Sequence, residues 1–312
     1  MHYVIGDVHG CYTELMALLR KIEQQDNDAQ FIFVGDWVDR GTGQMATLLW
    51  MLDNISETGK YQSVRGNHDQ DAWDWFQTKY LPWRKWNSNC EKEKSMPPYS
   101  EYDFYEVVQN DFVHNMNLLE PIMEKLHTLP YNKLIEVETK NNIKIKYRIA
   151  HAWHESRENA TNWQKIQANL YIRKFSIGNR ENPDEIYVHG HTPTIVQDYY
   201  MCGNKKSERP GMISYRENAI NVDGGCCFQR EMEQFPCMLC GICLETLEEF
   251  YCDTVENRLK LAAEYYYKRK PYKIGNKGLD VCIRDMAARN IRRYEKAEED
   301  EYRKEILKRM GL

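Results

Sequence analysis

Short apolar runs that end in glycine alternate with helical patterns along the first third of the chain. The runs cover residues 3–5, 31–34 and 62–64. Between the first two runs, leucine and isoleucine recur at helical spacing from position 15 to position 22, which is typical of an amphipathic helix. Strand, loop and helix repeated in this way predict an α/β sheet, in which ligands bind at the carboxyl ends of the strands.

The pattern changes after these units. Residues 71–129 are polar and helical, and we expect a helical insertion beside the site. Residues 134–149 alternate apolar and polar positions around Asn141 and Asn142, which predicts a β-hairpin. Further strands are expected over residues 185–188, 194–199, 219–222 and 241–251.

The last part of the chain, residues 254–312, predicts a C-terminal helical extension. Its end, residues 292–309, is dense in charges of both signs, which favours an exposed helix. We expect this extension to pack on the outside of the domain or on a partner, including a second copy of the chain.

Composition excludes some classes of protein. The chain has 312 residues, with 42 Lys and Arg against 47 Asp and Glu, so its net charge of −5 argues against a duplex nucleic-acid binder that works by bulk positive charge. Mean hydropathy is −0.74 without a long apolar run, which predicts no membrane-spanning helix. The start MHYVIGDVHG lacks the features of a secretory signal. Together with ten cysteines, this favours a cytoplasmic protein with reduced thiols.

The predicted strand ends carry residues suited to metal chemistry. Five segments follow in order: GDVHG at 6–10, GDWVDRG at 35–41, GNHD at 66–69, AH at 150–151 and HGHT at 189–192. Asp7 and His9 lie two residues apart, so an extended backbone points both side chains the same way, where they can bind one ion. Carboxylate, imidazole and amide donors together suit Mn, Fe or Zn better than Ca.

These motifs, in this order, resemble the calcineurin-like metallophosphoesterases. GDWVDRG with GNHD resembles the phosphoprotein phosphatase branch, above all its compact bacterial and phage members. That branch also includes symmetrical diadenosine tetraphosphate hydrolases. The resemblance covers about residues 1–251 and implies a four-layer α/β/β/α sandwich of two mixed sheets flanked by helices. We therefore expect a catalytic domain over 1–253, followed by the extension at 254–312.

The resemblance also implies a site with two divalent metal ions. Its implied ligands are Asp7 and His9 for the first metal, Asp36 as the bridge, and Asn67, His151 and His191 for the second. His68 would protonate the leaving alkoxide, and Asp39 would keep its imidazole cationic. Phosphate would be bound by Arg40, Asn67 and Arg173, although Arg173 stands in an unusual Tyr-Ile-Arg context. The implied reaction is in-line attack on phosphorus by a metal-bridging hydroxide.

The resulting hypothesis is a phosphatase that acts on phosphoserine and phosphothreonine in proteins, with Mn ahead of Fe or Zn. The main alternative has the same site but a different substrate, and would be a symmetrical bis(5'-nucleosyl)-tetraphosphatase. Arg84, Lys85 and Arg157 would then hold the extra phosphates. An alternative from a different class is a scaffold protein with a relict site, against which the filled ligand positions argue.

The cysteines allow a second metal hypothesis. Cys237, Cys240 and Cys243 have zinc-like spacing, with Cys226 and Cys227 nearby. The run overlaps a strand pattern whose alternate residues face opposite sides, so buried free thiols are the main expectation. Cys11 is expected to pack at the start of a helix, and Asp223 is expected to be structural.

Overall fold

Ten strands and their connecting helices build the part of the chain that this computed structural model describes, which is residues 1–87, 116–153, 159–173, 184–196, 209–216, 218–229, 235–254, 257 and 301–312. The strands are β1 His2–Ile5, β2 Gln30–Phe33, β3 Tyr61–Ser63, β4 Asn132–Glu138, β5 Lys144–Ala150, β6 Glu185–His189, β7 Ser214–Arg216, β8 Ala219–Asn221, β9 Cys240–Cys243 and β10 Glu249–Tyr251. The helices are α1 Tyr12–Glu23, α2 Gln44–Asn54, α3 Asn67–Trp75, a π-helical turn at Phe76–Tyr80, α4 Leu81–Asn87, α5 Met116–Thr128, α6 Asn162–Leu170, a 3-10 turn at Cys226–Phe228 and α7 Glu301–Arg309.

The first sheet has the strand order β10-β9-β1-β2-β3. Strands β1, β2 and β3 run parallel, and β9 and β10 add antiparallel neighbours. Both faces of β1 are covered, since Tyr3 and Ile5 pack among the residues of the helical layer while Val4 packs toward the second sheet. Burial on both faces explains the unbroken apolar runs seen in the sequence.

The second sheet has the strand order β4-β5-β6-β8-β7, with β5, β6 and β8 parallel. The predicted hairpin is present as β4 and β5, and Asn142 takes a φ of 58° in its turn, a conformation that asparagine tolerates well. Ile149 and Val188 face the first sheet, while Tyr187 stacks on Trp153 at 4.7 Å between ring centroids on the other face. The predicted α/β architecture of two mixed sheets with flanking helices is confirmed.

Two strand predictions need correction. Residues 194–196 form a turn instead of a strand, because the Thr194 amide donates to Asp223 and its hydroxyl donates to the Met212 carbonyl. Residues 197–199, the rest of that predicted strand, lie outside the described residues. The single strand expected over 241–251 is two strands, β9 and β10, separated by a turn in which Leu247 has a φ of 55°.

The segment predicted as a helical insertion contains α4, α5 and most of α3 in its described parts. The loop around Met96, Pro97 and Pro98 lies outside the described residues. No helix in the part of the chain that the structure describes is long and apolar enough to cross a membrane.

Helix α7 corrects the expectation of an exposed C-terminal helix. The helix is present, but Ile306 and Met310 are fully buried in the apolar cluster between the two sheets. The Tyr147 hydroxyl donates to the sulfur of Met310 at 3.4 Å, and Arg303 donates to the Leu247 carbonyl at 3.2 Å. Ile306 and Met310 lie one helical turn apart, but the charged residues around them in the sequence outnumber them, so the apolar side of the helix was not recognised. The domain boundary near residue 254 and association through the C-terminal helices stay predictions.

Candidate active site

Six parallel strands end at one rim of the sandwich, and each is followed by a polar residue. These residues are Asp7 after β1, Asp36 after β2, Asn67 after β3, His151 after β5, His191 after β6 and Asp223 after β8. All are buried except Asn67, which is half-buried. The backbone amide of His191 donates to the Asp7 carboxylate at 3.0 Å, so the two sheets meet at this rim.

The Asp36 carboxylate lies between two imidazoles. Its Oδ2 is 3.3 Å from Nε2 of His9 and 3.4 Å from Nε2 of His151. In both rings Nδ1 donates to a backbone carbonyl, that of Val38 at 2.8 Å for His9 and that of Val34 at 2.9 Å for His151. With the proton fixed on Nδ1, each neutral ring turns a lone pair toward Asp36.

A second group of lone pairs meets at Nε2 of His151. The Asn67 Oδ1 atom lies 2.9 Å from it, and Nδ1 of His191 lies 3.2 Å from it and 2.8 Å from Asn67 Oδ1. Nε2 of His191 faces the Tyr171 carbonyl at 3.3 Å, which places the proton of that ring on Nε2. Acceptors therefore converge here without a proton between them, an arrangement that a cation stabilises.

Burial shapes the charge of this rim. It raises the pKa of Asp7 well above its usual range, with Asp223 and Asp36 adding repulsion, and it raises the pKa of Asp223 to about 7. Burial also lowers the pKa of His151 to about 3, and it lowers that of His191 well below the usual value. Neutral imidazoles beside repelling carboxylates provide acceptors but no positive charge of their own.

These donors fit divalent metal ions. Ligand atoms of Asp7, Asp36 and His151 all lie within 4.8 Å of one another, as do those of His9, Asp36 and His68. Carboxylate, imidazole and amide oxygen are donors that Mn, Fe and Zn accept. The structure thus brings together all six residues that the sequence nominated as ligands, and their individual roles stay predictions.

His68 and Asp39 form a buried pair beside the ligand cluster. Nδ1 of His68 lies 2.5 Å from Oδ2 of Asp39. Burial lowers the pKa of His68, but the charges of Asp36 and Asp39 outweigh it and raise the pKa above the usual value. The Arg40 Nη2 atom lies 3.3 Å from Nε2 of His68, and its guanidinium sits 5.0 Å from the ring centroid of Phe228.

Arg173 lies at the same rim, although its role was the weaker prediction. Its Nη1 donates to the His191 carbonyl at 3.2 Å and to the Thr192 hydroxyl at 2.6 Å. These two bonds hold the guanidinium against the loop that carries His191. Trp37, by contrast, turns away from the rim, since it is fully buried and donates from Nε1 to the Ser63 hydroxyl at 3.0 Å.

The backbone of the rim is strained. Five non-glycine residues have positive φ between 43° and 74°, namely His9, Asp36, Asp39, Arg40 and His191. Such conformations cost free energy and gather where function requires them. Gly190 is a steric requirement of the same kind, because a β-carbon there would lie only 1.8 Å from the Asp7 carboxylate.

Asp69 has a role that the sequence analysis missed. Its carboxylate accepts hydrogen bonds from the backbone amides of Asp36 at 3.0 Å, Trp37 at 2.8 Å and Gly66 at 2.9 Å. It thereby fixes the loops after β2 and β3 against each other. The available signal was its position three residues after Gly66 at the start of α3, where an acidic side chain caps a helix.

A second missed contact joins Tyr171 to α3. The Tyr171 hydroxyl donates to the Asp71 carboxylate at 2.6 Å, while its carbonyl accepts from His191. Tyr171 therefore connects helix α3, which begins at Asn67, to His191, a predicted metal ligand. The sequence offered no signal for it, because the partners are 100 residues apart.

Two mixed sheets flanked by helices, with carboxylates and imidazoles at the ends of their parallel strands, define the class of metallophosphoesterases. The profile of the calcineurin-like phosphoesterase family matches residues 3–221. The chain therefore belongs to the calcineurin-like phosphoesterases, a family of hydrolases, and the resemblance noted in the sequence is confirmed.

Curated relatives carry two different names. A symmetrical bis(5'-nucleosyl)-tetraphosphatase of Shewanella frigidimarina is 43% identical over 68 residues, which is 22% of this chain and 24% of the relative. Serine/threonine-protein phosphatase 2 of Salmonella typhimurium is 31% identical over 150 residues, which is 48% of this chain and 57% of the relative. The matches thus span about a quarter and just over half of these relatives. A solved metallophosphoesterase from Sphaerobacter thermophilus aligns over 85% of this chain and 93% of its own, with a TM-score of 0.45 and 14% identity.

Proposed function

We propose that this protein is a dinuclear-metal phosphatase that hydrolyses phosphomonoesters, with phosphoserine and phosphothreonine in proteins as its main substrates. The observation that carries the proposal is the His68–Asp39 pair, which lies beside Arg40 at the edge of the ligand cluster. A phosphomonoesterase needs a proton donor for the leaving alkoxide and a cation for the phosphoryl oxygens, and this corner offers both.

The donors around Asp36 are numerous enough for two cations, which supports a dinuclear centre. Asp7 and His9 would hold one ion, and Asn67, His151 and His191 would hold the other, with Asp36 shared between them. When bound, divalent ions lower the pKa of a water molecule and offset charge on phosphoryl oxygens. The mixed nitrogen and oxygen donors support Mn²⁺, with Fe or Zn as alternatives.

The chain's own groups would then position the phosphoryl group and supply the proton. Arg40 would bind two phosphoryl oxygens through its planar guanidinium, whose face rests on Phe228. His68 would give its Nε2 proton to the leaving oxygen, because Nδ1 is held by Asp39. Its raised pKa keeps that proton in place near neutral pH. Phosphoryl transfer consists mainly of such positioning and charge stabilisation.

A symmetrical dinucleoside tetraphosphatase is the second candidate, favoured by the 43% identity with the Shewanella frigidimarina relative over 68 residues. That substrate needs cationic groups for its additional phosphates. Arg157, one of the three residues suggested for that task, lies outside the described residues. Arg84, another of the three, is exposed and already pairs with Glu120 at 3.3 Å. We therefore place protein phosphomonoesters first.

A substrate panel tests the proposal. The chelated protein is reloaded with Mn²⁺ and assayed on a phosphothreonine peptide, p-nitrophenyl phosphate and diadenosine tetraphosphate. We expect the peptide to be hydrolysed with higher kcat/KM than the dinucleotide, and the reverse order would favour the second candidate. If none of the three substrates were hydrolysed, the phosphatase proposal would be refuted and the scaffold alternative favoured.

The role of His68 has its own test. His68→Asn should lower kcat on the phosphothreonine peptide by about 10²–10⁴-fold, because a general acid contributes that much. The loss should be smaller on p-nitrophenyl phosphate, since nitrophenolate leaves without a proton. His127→Asn is the matched control, because His127 stacks on Trp73 at 4.1 Å away from the ligand cluster. Equal losses on both substrates would contradict the general-acid role.

A further inference from the structure

The cysteines gather at a place that the sequence did not indicate. Cys240 faces the cluster between the sheets, and Cys243 faces the helical layer. The zinc-like run that contains them therefore spans both faces of β9 and does not form one site. Cys11 and Cys226, which are distant in sequence, instead come together at the start of α1, and Cys252 packs against the same apolar cluster.

Cys226 lies at the centre of this group. Cys252 packs against the apolar cluster that contains both Cys226 and Cys11. The sulfurs of Cys11 and Cys226 and a carboxylate oxygen of Glu14 all lie within 4.8 Å of one another. Nε2 of Gln229 donates to the Cys226 sulfur at 3.3 Å. Two sulfurs and a carboxylate oxygen thus surround one point, and a third thiol is adjacent.

Local structure explains how these donors meet. Cys11 stands at the N-cap of α1, and Glu14 lies in the first turn of that helix, so residues three apart share one face. Cys226 is contributed by the 3-10 turn, and Cys252 directly follows β10. Cys11 and Cys226 are buried, while Glu14 and Cys252 are half-buried, which leaves a route from solvent to the group.

We propose that Cys11, Glu14 and Cys226 form a further metal site outside the catalytic cluster. This site binds a soft divalent cation such as Zn²⁺. Cys252, which packs against the same apolar cluster, is the candidate for a fourth donor. Tetrahedral zinc with bonds of about 2.3 Å places its sulfur ligands about 3.7 Å apart, which the 4.8 Å limit on the donor distances accommodates. Thiolates select Zn over Mn, so the two sites differ in chemistry. On binding, the thiol protons are released to solvent.

The position of this site gives it a structural consequence. Cys11 directly follows Gly10 of the loop that carries Asp7 and His9, and Cys226 lies two residues before Phe228. Phe228 lies under the Arg40 guanidinium. A metal held by Cys11 and Cys226 would therefore fix the position of the turn that carries Phe228 relative to the start of α1.

Cobalt provides a direct test. The chelated and reduced full chain is titrated with Co²⁺ alone, and the near-ultraviolet absorption of thiolate-to-cobalt charge transfer is followed. None of the described ligands of the catalytic cluster is a cysteine, so a thiolate band that depends on Cys226 reports the proposed site. We expect one thiolate-bound cobalt per chain. Absence of the band would overturn the proposal whether or not the enzyme is active.

Variants locate the band. Cys226→Ser should abolish it and remove one bound cobalt in elemental analysis. Cys243→Ser, which removes a buried thiol outside the proposed site, should retain both the absorption band and the bound cobalt. A band that survives in Cys226→Ser would overturn the assignment.

A measurement on the unaltered chain covers the case in which Cys226→Ser does not fold. Zn²⁺ should slow iodoacetamide labelling of Cys11 and Cys226 in the wild-type chain, as located by peptide mapping, and should leave labelling of Cys243 unchanged. Equal labelling with and without Zn²⁺ would also overturn the proposal.

Discussion

The rim of strand ends and the lateral edge of the sandwich both shield acids from solvent, and the surroundings of these acids have opposite effects. At the rim of strand ends, burial raises the pKa of Asp7, Asp36 and Asp223. At the lateral edge of the sandwich, Glu249 on β10 is half-buried, with 10% of its side chain exposed, and burial by itself would raise its pKa. Bonds from Arg209 outweigh burial, however, so the pKa of Glu249 is lowered.

The difference lies in the source of the positive charge. Both terminal nitrogens of Arg209 donate to the Glu249 carboxylate at 2.8 Å, and the Tyr215 hydroxyl donates at 2.8 Å as well. The lateral edge therefore contains its own counter-ion. At the rim, the neutral imidazoles of His9, His151 and His191 face the carboxylates with lone pairs. Arg40 and His68 lie nearby, yet burial outweighs their charges and the pKa of Asp36 stays raised, which fits a region that binds cations from solution. The rim serves binding at the expense of stability, as functional sites commonly do.

Removing one charge from the rim should have the largest effect on activity and should not destabilise the protein. Asp36→Asn should lower the metal-dependent rate by about 10³-fold, because a metal ion contributes several kcal/mol to such reactions. The metal-free variant should unfold at the same urea concentration as the metal-free wild type or at a higher one, since the desolvation cost of a buried carboxylate is removed. A clear loss of metal-free stability would show that the rim and the edge do not differ as described.

Removing the charge partner at the lateral edge should have the opposite pattern. Arg209→Met should lower the free energy of unfolding by about 3 kcal/mol, the lower end of the range for a broken buried pair. The half-buried Glu249 then keeps only the more distant Arg303, whose Nε lies 3.9 Å away. Urea denaturation measures this change, and activity at low temperature should be retained. Lys144→Met is the matched control, since Lys144 forms an exposed pair with Glu136 at 3.2 Å, a type that contributes less than about 1 kcal/mol.

Adding metal should stabilise the rim alone. Mn²⁺ at about 100 times its Kd should stabilise the chelated wild-type protein by about 2.7 kcal/mol per site by mass action. The shift in Tm should be smaller in Asp36→Asn and unchanged in Arg209→Met. If Asp36→Asn kept the full shift, the ions would be bound without Asp36.

The smallest effect concerns pH. The pKa of Glu249 is lower in the folded than in the unfolded chain, so its pairing stabilises the fold fully above the unfolded pKa. That contribution is lost as pH falls through the folded pKa. The stability difference between wild type and Glu249→Gln should therefore shrink in acid, as denaturation curves at several pH values would report. A difference that stayed constant would mean that Glu249 does not titrate with folding.

The residues nominated as ligands lie together where the signal in the sequence was local. Asp7, Asp36 and Asn67 follow strands whose apolar runs are visible in the sequence, and parallel strands align their carboxyl ends. Asp69 and Tyr171 were missed because their roles depend on partners brought in by other loops. The burial of Ile306 was missed because its neighbours in sequence are charged, while the residues that cover it lie between the sheets.

The order of apolar runs and the chemistry-bearing loops were enough to determine the family, the two-sheet architecture and the set of candidate ligands. Periodicity and motif spacing are properties of neighbouring residues, so they can be read without coordinates. Only the tertiary structure decided which lone pairs meet at His151, which acid receives Arg209, and which cysteines gather around Cys226. Those contacts join segments far apart along the chain, and their geometry is set by packing of the whole fold.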